Sequence, residues 1–206
     1  MPVATFVGVA SVLGTKLAVR FGTKLVVAGG LFAVACFYAW VATASATTSY
    51  GTIAAQMVLY GIGLGFTSAP ATEAIMGVVP IDKAGVGSAV NDATRLLGGT
   101  LGVAAIGSIY ASLYSARLTA ALPTRLPSPL AHSAHASVGA ALQVAAGLSH
   151  VGQASLAREI DSAASGAFIH GLSAGCLVAG GVALAGAIMA ALLLPAQPAA
   201  QVDLQG

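Results

Sequence analysis

The feature that most constrains this sequence is the stretch from Leu25 to Thr72, which contains no charged residue. A helix needs only about 20 apolar residues to cross the hydrocarbon core of a bilayer. Over the whole chain 7% of residues are charged, against roughly 25% in a soluble domain, so polar side chains are too few to cover a water-facing surface. The net charge of +2 provides no basic field that would attract nucleic acid.

We therefore predict an all-α fold, a polytopic membrane helical bundle with about five transmembrane helices. The polar segment 43–52 divides the uncharged stretch into two spans, and Pro80 ends the second because proline cannot continue a helix. The predicted spans are residues 1–19, 24–43, 52–78, 88–112 and 166–194.

A long extracytoplasmic loop with short amphipathic helices is predicted for residues 113–165. The segment 122–130 is punctuated by prolines, and Arg158, Glu159 and Asp161 make the region after it the most polar part of the chain. Two interpretations stay open, a solvated connector and a substrate gate.

Short-loop Lys and Arg residues predict the orientation of the chain. Lys16, Arg20, Lys24 and Lys83 lie on one side if five spans alternate, so that side should be cytoplasmic. The protein is then a multi-pass protein of the inner membrane, with an outward N-terminus and a cytoplasmic tail at 195–206. Because the first span is short and has no signal peptide before it, we expect an upstream part to be missing.

Glu73 is the sharpest candidate for chemistry, since an ionisable group inside a span costs about 2.5–3.5 kcal/mol on insertion scales and therefore indicates function. It lies seven residues before Pro80, near the expected cytoplasmic end of its span. It could exchange a proton or contact a cationic substrate. Alternatively, it could pair with a Lys or Arg of a neighbouring loop.

Asn91, Asp92 and Arg95 begin the next span. Asp92 and Arg95 are three positions apart, so they share a helix face and can pair. We interpret the three residues either as a structural cluster at the cytoplasmic rim or, together with Arg20, as a cytoplasmic gate whose ion pairs break and re-form.

Gln56 and Tyr60 are four positions apart and should lie on one face of a helix. They could form part of a cavity wall with hydrogen-bonding groups. Alternatively, Tyr60 could pack against neighbours and Gln56 could lie at the outer interface.

Small residues at a spacing of four allow helices in lipid to approach closely. This spacing occurs at Gly61/Gly65, Gly98/Gly102 and Gly171/Gly175. No catalytic arrangement, metal-ligand spacing or cofactor motif is present in the sequence. The pair His132/His135 has no other ligand near it, so we expect neither an enzyme nor a metal site.

Two blocks of the sequence resemble a known family. Residues 69–80 (APATEAIMGVVP) and 82–114 (DKAGVGSAVNDATRLLGGTLGVAAIGSIYASLY) are similar to the closing region of major facilitator superfamily drug:H+ antiporters of the fourteen-span type represented by EmrB and QacA. Residues 14–24 (GTKLAVRFGTK) resemble a copy of the family's glycine-rich and basic loop signature, with Val19 where an acid often precedes the arginine.

The resemblance implies the C-terminal portion of a proton-coupled multidrug efflux transporter, which exports hydrophobic or cationic compounds by alternating access. Its partners would be protons, such compounds, the lipid bilayer and the missing N-terminal half, without which it should be inactive. The alternative is a non-transporting membrane interaction protein that packs against a partner helix bundle.

Overall fold

The fold is entirely helical over the part of the chain that the structure, a computed structural model, describes: residues 2–45, 47–123 and 125–194. A 3-10 turn at Ile81–Lys83 follows the third helix. The seven α-helices are α1 (Pro2–Phe21), α2 (Thr23–Val41), α3 (Tyr50–Met76), α4 (Ala84–Ala121), α5 (Ser128–Ala136), α6 (Val138–His150) and α7 (Ala154–Leu193).

Five of these helices, α1 to α4 and α7, are long and apolar enough to cross a membrane. The predicted all-α bundle with about five transmembrane helices is confirmed. α1, α2 and α3 begin and end within a few residues of the predicted spans 1–19, 24–43 and 52–78.

The other two membrane-length helices extend well past their predicted spans. α4 has 38 residues and α7 has 40, which is about 57 and 60 Å of helix at 1.5 Å per residue. A hydrocarbon core is about 30 Å thick. Much of the segment 113–165 is therefore helical, formed by the end of α4, by α5 and α6, and by the start of α7.

Two local features explain where helices begin and end. Gly22 alone separates α1 from α2, and its φ of 91° is a backbone conformation that favours glycine. The amide of Gly22 donates to the carbonyl oxygen of Ala18 at 2.9 Å. α3 begins after Ser49, whose hydroxyl accepts a hydrogen bond from the Thr52 amide at 3.3 Å, as an N-cap residue does.

The chain forms two compact units. The first contains α1, α2, α3, α4 up to Val103 and α7 from Leu177 onward. Within it α3 packs against both α1 and α2, and glycines permit the close approach. A Cβ atom on Gly65 would lie 2.5 Å from the Ala10 Cβ of α1, and one on Gly30 of α2 would lie 2.9 Å from the Gly63 carbonyl oxygen of α3.

The second unit contains the rest of α4, both short helices and α7 up to Cys176. Two small hydrophobic clusters hold it together. One is centred on Leu118 and the other on Ile160, and both of these side chains are fully buried. Tyr114 donates from its hydroxyl to the Ala134 carbonyl oxygen at 3.2 Å, which fixes α5 to α4. This part of the chain is thus a folded helical unit, and the two short helices α5 and α6 lie within the segment 113–165 for which short helices were predicted.

Candidate functional site

A groove of about 660 Å³ lies between the second half of α3 and the first half of α4. Its volume is in the range of small-molecule sites, about 300–1,000 Å³. Apolar side chains make most of its surface, and Lys83, Asn91 and Arg95 add charge and hydrogen-bonding capacity. The complete lining is Thr67, Ser68, Ala71, Thr72, Ile75, Val79, Pro80, Lys83, Val86, Gly87, Val90, Asn91, Thr94 and Arg95.

The groove contains two of the four residues predicted for a cytoplasmic gate. Asn91 and Arg95 line it, whereas Asp92 does not. Asp92 and Arg95 do not form the expected ion pair. The ion pair found within residues 2–45, 47–123 and 125–194 is Arg125–Glu159. Asp92 and Arg95 are both exposed. An ion pair at an exposed position contributes only about 0–1 kcal/mol, so the attraction between these two side chains is weak.

Glu73 lies outside the groove, on the side of α3 that meets α1. Its Oε1 accepts a hydrogen bond from the Thr15 hydroxyl at 3.2 Å. The alternative expectation, a pair with a Lys or Arg of a neighbouring loop, is not met in the described structure. Because Glu73 remains exposed, its carboxylate is accessible as well as hydrogen-bonded.

Gln56 and Tyr60 lie on α3 towards its N-terminal end, far along the helix from Glu73. The Gln56 side chain is 3% exposed, which argues against the alternative of an interfacial residue. Tyr60 is half-buried, and its ring centroid lies 4.7 Å from that of Phe37 on α2. Tyr60 is therefore part of the packing between α2 and α3, and Gln56 is a buried polar side chain of α3.

Arg20 occupies the last turn of α1, where a cation interacts favourably with the helix dipole. Its guanidinium carbon lies 5.5 Å from the centroid of the Phe21 ring. The predicted site residues thus fall into separate places: Asn91 and Arg95 line the groove, Glu73 contacts Thr15, and Tyr60 packs against Phe37.

Hydroxyl groups along the groove were missed by the sequence reasoning, because Thr and Ser are common in apolar helices. Thr67 and Thr72 on α3 and Thr94 on α4 donate to carbonyl oxygens four residues earlier, at 2.8, 2.9 and 2.8 Å. Their remaining lone pairs can accept hydrogen bonds. The groove can therefore offer a ligand acceptor oxygens beside an amide and two cations.

A fully buried proline, Pro70, lies inside α3 beside these threonines. Proline has no backbone N–H and disrupts the hydrogen bond to the carbonyl four residues earlier, which bends or breaks a helix.

No group of three or more His, Cys, Asp or Glu side chains that could hold a metal ion occurs within the described ranges. His132 and His135 belong to α5, the short helix that follows Pro127.

Comparison with known proteins finds relatives among drug-efflux transporters. The chain is 27% identical over 187 residues to the multidrug efflux pump LfrA of Mycolicibacterium smegmatis, covering 91% of this chain and 36% of that protein. It is 30% identical over 145 residues to the methyl viologen resistance protein SmvA of Salmonella typhimurium, covering 70% of this chain and 29% of that protein.

A third relative, the multidrug resistance protein Stp of Mycobacterium tuberculosis, is 28% identical over 130 residues, which are 63% of this chain and 24% of that protein. No protein-family model matches the chain. The relatives carry transporter and resistance names rather than enzyme names, which fits the expectation that the chain is not an enzyme. The chain spans about a quarter to a third of their length, and over that stretch it is a homologue of multidrug efflux transporters.

Proposed function

We propose that this chain forms the C-terminal portion of a proton-coupled transporter of the major facilitator superfamily, of the fourteen-span type, that exports hydrophobic or cationic compounds. The observation that carries the proposal is the similarity to a multidrug efflux pump over 91% of the chain. Five membrane-length helices support a protein that crosses a membrane several times. In the proposal this is the inner membrane, and Arg20 at the end of α1 and Lys83 before α4 face the cytoplasm.

In this proposal the groove between α3 and α4 contributes to the path of the transported compound. Its apolar walls suit a hydrophobic molecule, and Asn91 and the threonine hydroxyls could orient polar groups on it. Arg95 and Lys83 would belong to a gate at the cytoplasmic end, with Asp92 and Arg20 as exposed charges available to other parts of the transporter.

Glu73 is the proposed proton or cation contact of this portion. Thr15 donates to Glu73 Oε1, and a hydrogen bond to an ionised carboxylate is stronger than one between neutral groups. Protonation would weaken that contact, so a proton on Glu73 would loosen the link between α3 and α1. Such a link between two packed helices is a means by which proton binding could alter their packing.

The experiment combines the chain with a second helix bundle. The chain would be co-reconstituted into vesicles with the part of the Mycolicibacterium smegmatis relative that it does not match, and proton flux would be followed with a pH-sensitive dye after methyl viologen addition. We expect flux with both parts present, none with either alone, and a reduction of at least tenfold in Glu73→Gln.

Asp161→Asn is the matched control, because Asp161 is an exposed acid of the second unit and its loss should leave the flux unchanged. Equal proton flux in Glu73→Gln and the parent would show that Glu73 does not take part in proton transport. Absence of drug-dependent flux from a complex that has assembled would contradict the transport proposal.

The alternative, a non-transporting interaction protein, is supported by one feature of α4. Gly98 and Gly102 share one face of α4 and have no atom within 4 Å of where a Cβ would lie, so this face has room for another helix. In that case the chain should co-purify with a partner bundle in detergent, and the complex should show no response to added drug.

A further inference from the structure

A second cavity, of about 520 Å³, lies entirely within the second unit, between the end of α4 and the start of α7. Its charged and polar side chains are Arg117, Ser162, His170 and Ser173, and no carboxylate lines it. A cavity lined by a cation and an imidazole without an acid has a chemistry that favours an anion.

The hydrogen bonds that the structure records leave Arg117 as the main donor available to a ligand. Ser162 donates to the Glu159 carbonyl oxygen at 3.0 Å, and Ser173 donates to the Ala42 carbonyl oxygen at 2.8 Å. The carboxylate of Glu159 accepts from Arg125. No acidic side chain within residues 2–45, 47–123 and 125–194 pairs with Arg117, so its guanidinium N–H groups are available to a ligand.

The place of the cavity along the helices indicates the source of the anion. Arg117 lies four positions before Ala121, the last residue of the membrane-length helix α4. Long basic side chains near the ends of such helices reach the headgroup layer of the bilayer. His170 lines the same cavity, so a phospholipid headgroup is the anion that this position favours.

We infer that this cavity binds the phosphodiester of an anionic membrane lipid, with Arg117 holding the phosphate oxygens and His170 donating beside it. Arginine suits this role because its planar guanidinium can donate two parallel hydrogen bonds to a phosphate. The apolar residues at the cavity, among them Ile169 and the alanines of α7, would contact the start of the acyl chains. The site is separate from the groove between α3 and α4 and does not depend on transport.

The test is lipid retention by the purified chain, measured by native mass spectrometry after exchange into mixtures of phosphatidylglycerol and diacylglycerol, which lacks the phosphate. We expect retention of phosphatidylglycerol in preference to diacylglycerol, and a loss of about tenfold in Arg117→Gln. Arg117→Lys should recover part of the loss, because it keeps the charge but not the planar fork. His170→Gln should cause a smaller loss.

Arg158→Gln is the matched control, since Arg158 is also an exposed arginine of the second unit, but it does not line the cavity and its Nε donates to the Ala154 carbonyl oxygen. Its lipid retention should equal that of the parent. Equal retention by Arg117→Gln and the parent would overturn the inference. Displacement of phosphatidylglycerol by millimolar inorganic phosphate would show that the cavity binds a soluble anion rather than a lipid.

Discussion

The contact between α1 and α3 can be tested with one added methyl group. In Gly65→Ala the new Cβ would lie 2.5 Å from the Ala10 Cβ and 2.8 Å from the Ser11 backbone nitrogen, so α1 has to move. Overpacking of this kind costs about 1–3 kcal/mol. The exchange of glycine for alanine inside a helix offsets this by up to about 1 kcal/mol, so the measured loss would understate the clash.

Gly98→Ala supplies the matched control, because it makes the same chemical change inside α4 where nothing lies within 4 Å. The gain in helix propensity is then common to both variants, and their difference of about 1–3 kcal/mol isolates the clash. The assay is SDS titration of the purified chain in mild detergent, followed by circular dichroism. If Gly65→Ala unfolds at the same SDS fraction as Gly98→Ala, the backbones of α1 and α3 are not in contact at Gly65.

Three further predictions concern the second unit. Leu118→Ala should destabilise it by about 2–5 kcal/mol, because Leu118 is fully buried; equal protease resistance of the variant and the parent would contradict this. Tyr114→Phe should cost about 1 kcal/mol by leaving the Ala134 carbonyl without its donor, and amide exchange should rise in α5 rather than in α1. Arg125→Gln should cost less than about 1 kcal/mol, because the pair with Glu159 is exposed, and 1 M salt should abolish the difference from the parent.

The sequence could predict the membrane-length helices because their number depends only on the lengths of apolar runs. It could not predict the end of α4 at Ala121 or the start of α7 at Ala154, because an alanine-rich segment of mixed polarity is compatible with both a helix and a loop. The hydrogen bond between Thr15 and Glu73 joins residues 58 positions apart. Helix packing creates such a contact, and a single sequence contains no sign of it.

The absence of an ion pair between Asp92 and Arg95 has a different cause. Their spacing of three places them on one helix face, which made the pair a reasonable prediction. The spacing alone does not determine whether the free energy of pairing is favourable. At an exposed position the attraction is weak and the side chains lose rotational freedom on pairing. The pair that does form, Arg125 with Glu159, is also exposed, but it connects the residues that follow α4 to α7 within a packed unit.

The glycines of α4, rather than its exposed leucines, indicate that another helix packs against this helix. Leu96, 72% exposed, gains nothing from another helix that lipid does not already provide, since acyl chains are equally apolar. Glycine inside a helix costs about 1 kcal/mol relative to alanine and repays it only where another backbone comes close. Gly98 and Gly102 are four positions apart and so share one face of α4, and nothing lies within 4 Å of a Cβ at either position. Gly98→Leu should therefore leave the isolated chain at least as stable as the parent, with a gain of up to about 1 kcal/mol from helix propensity, and weaken its assembly with a second bundle. Equal assembly by the two would show that another face of the chain makes that contact.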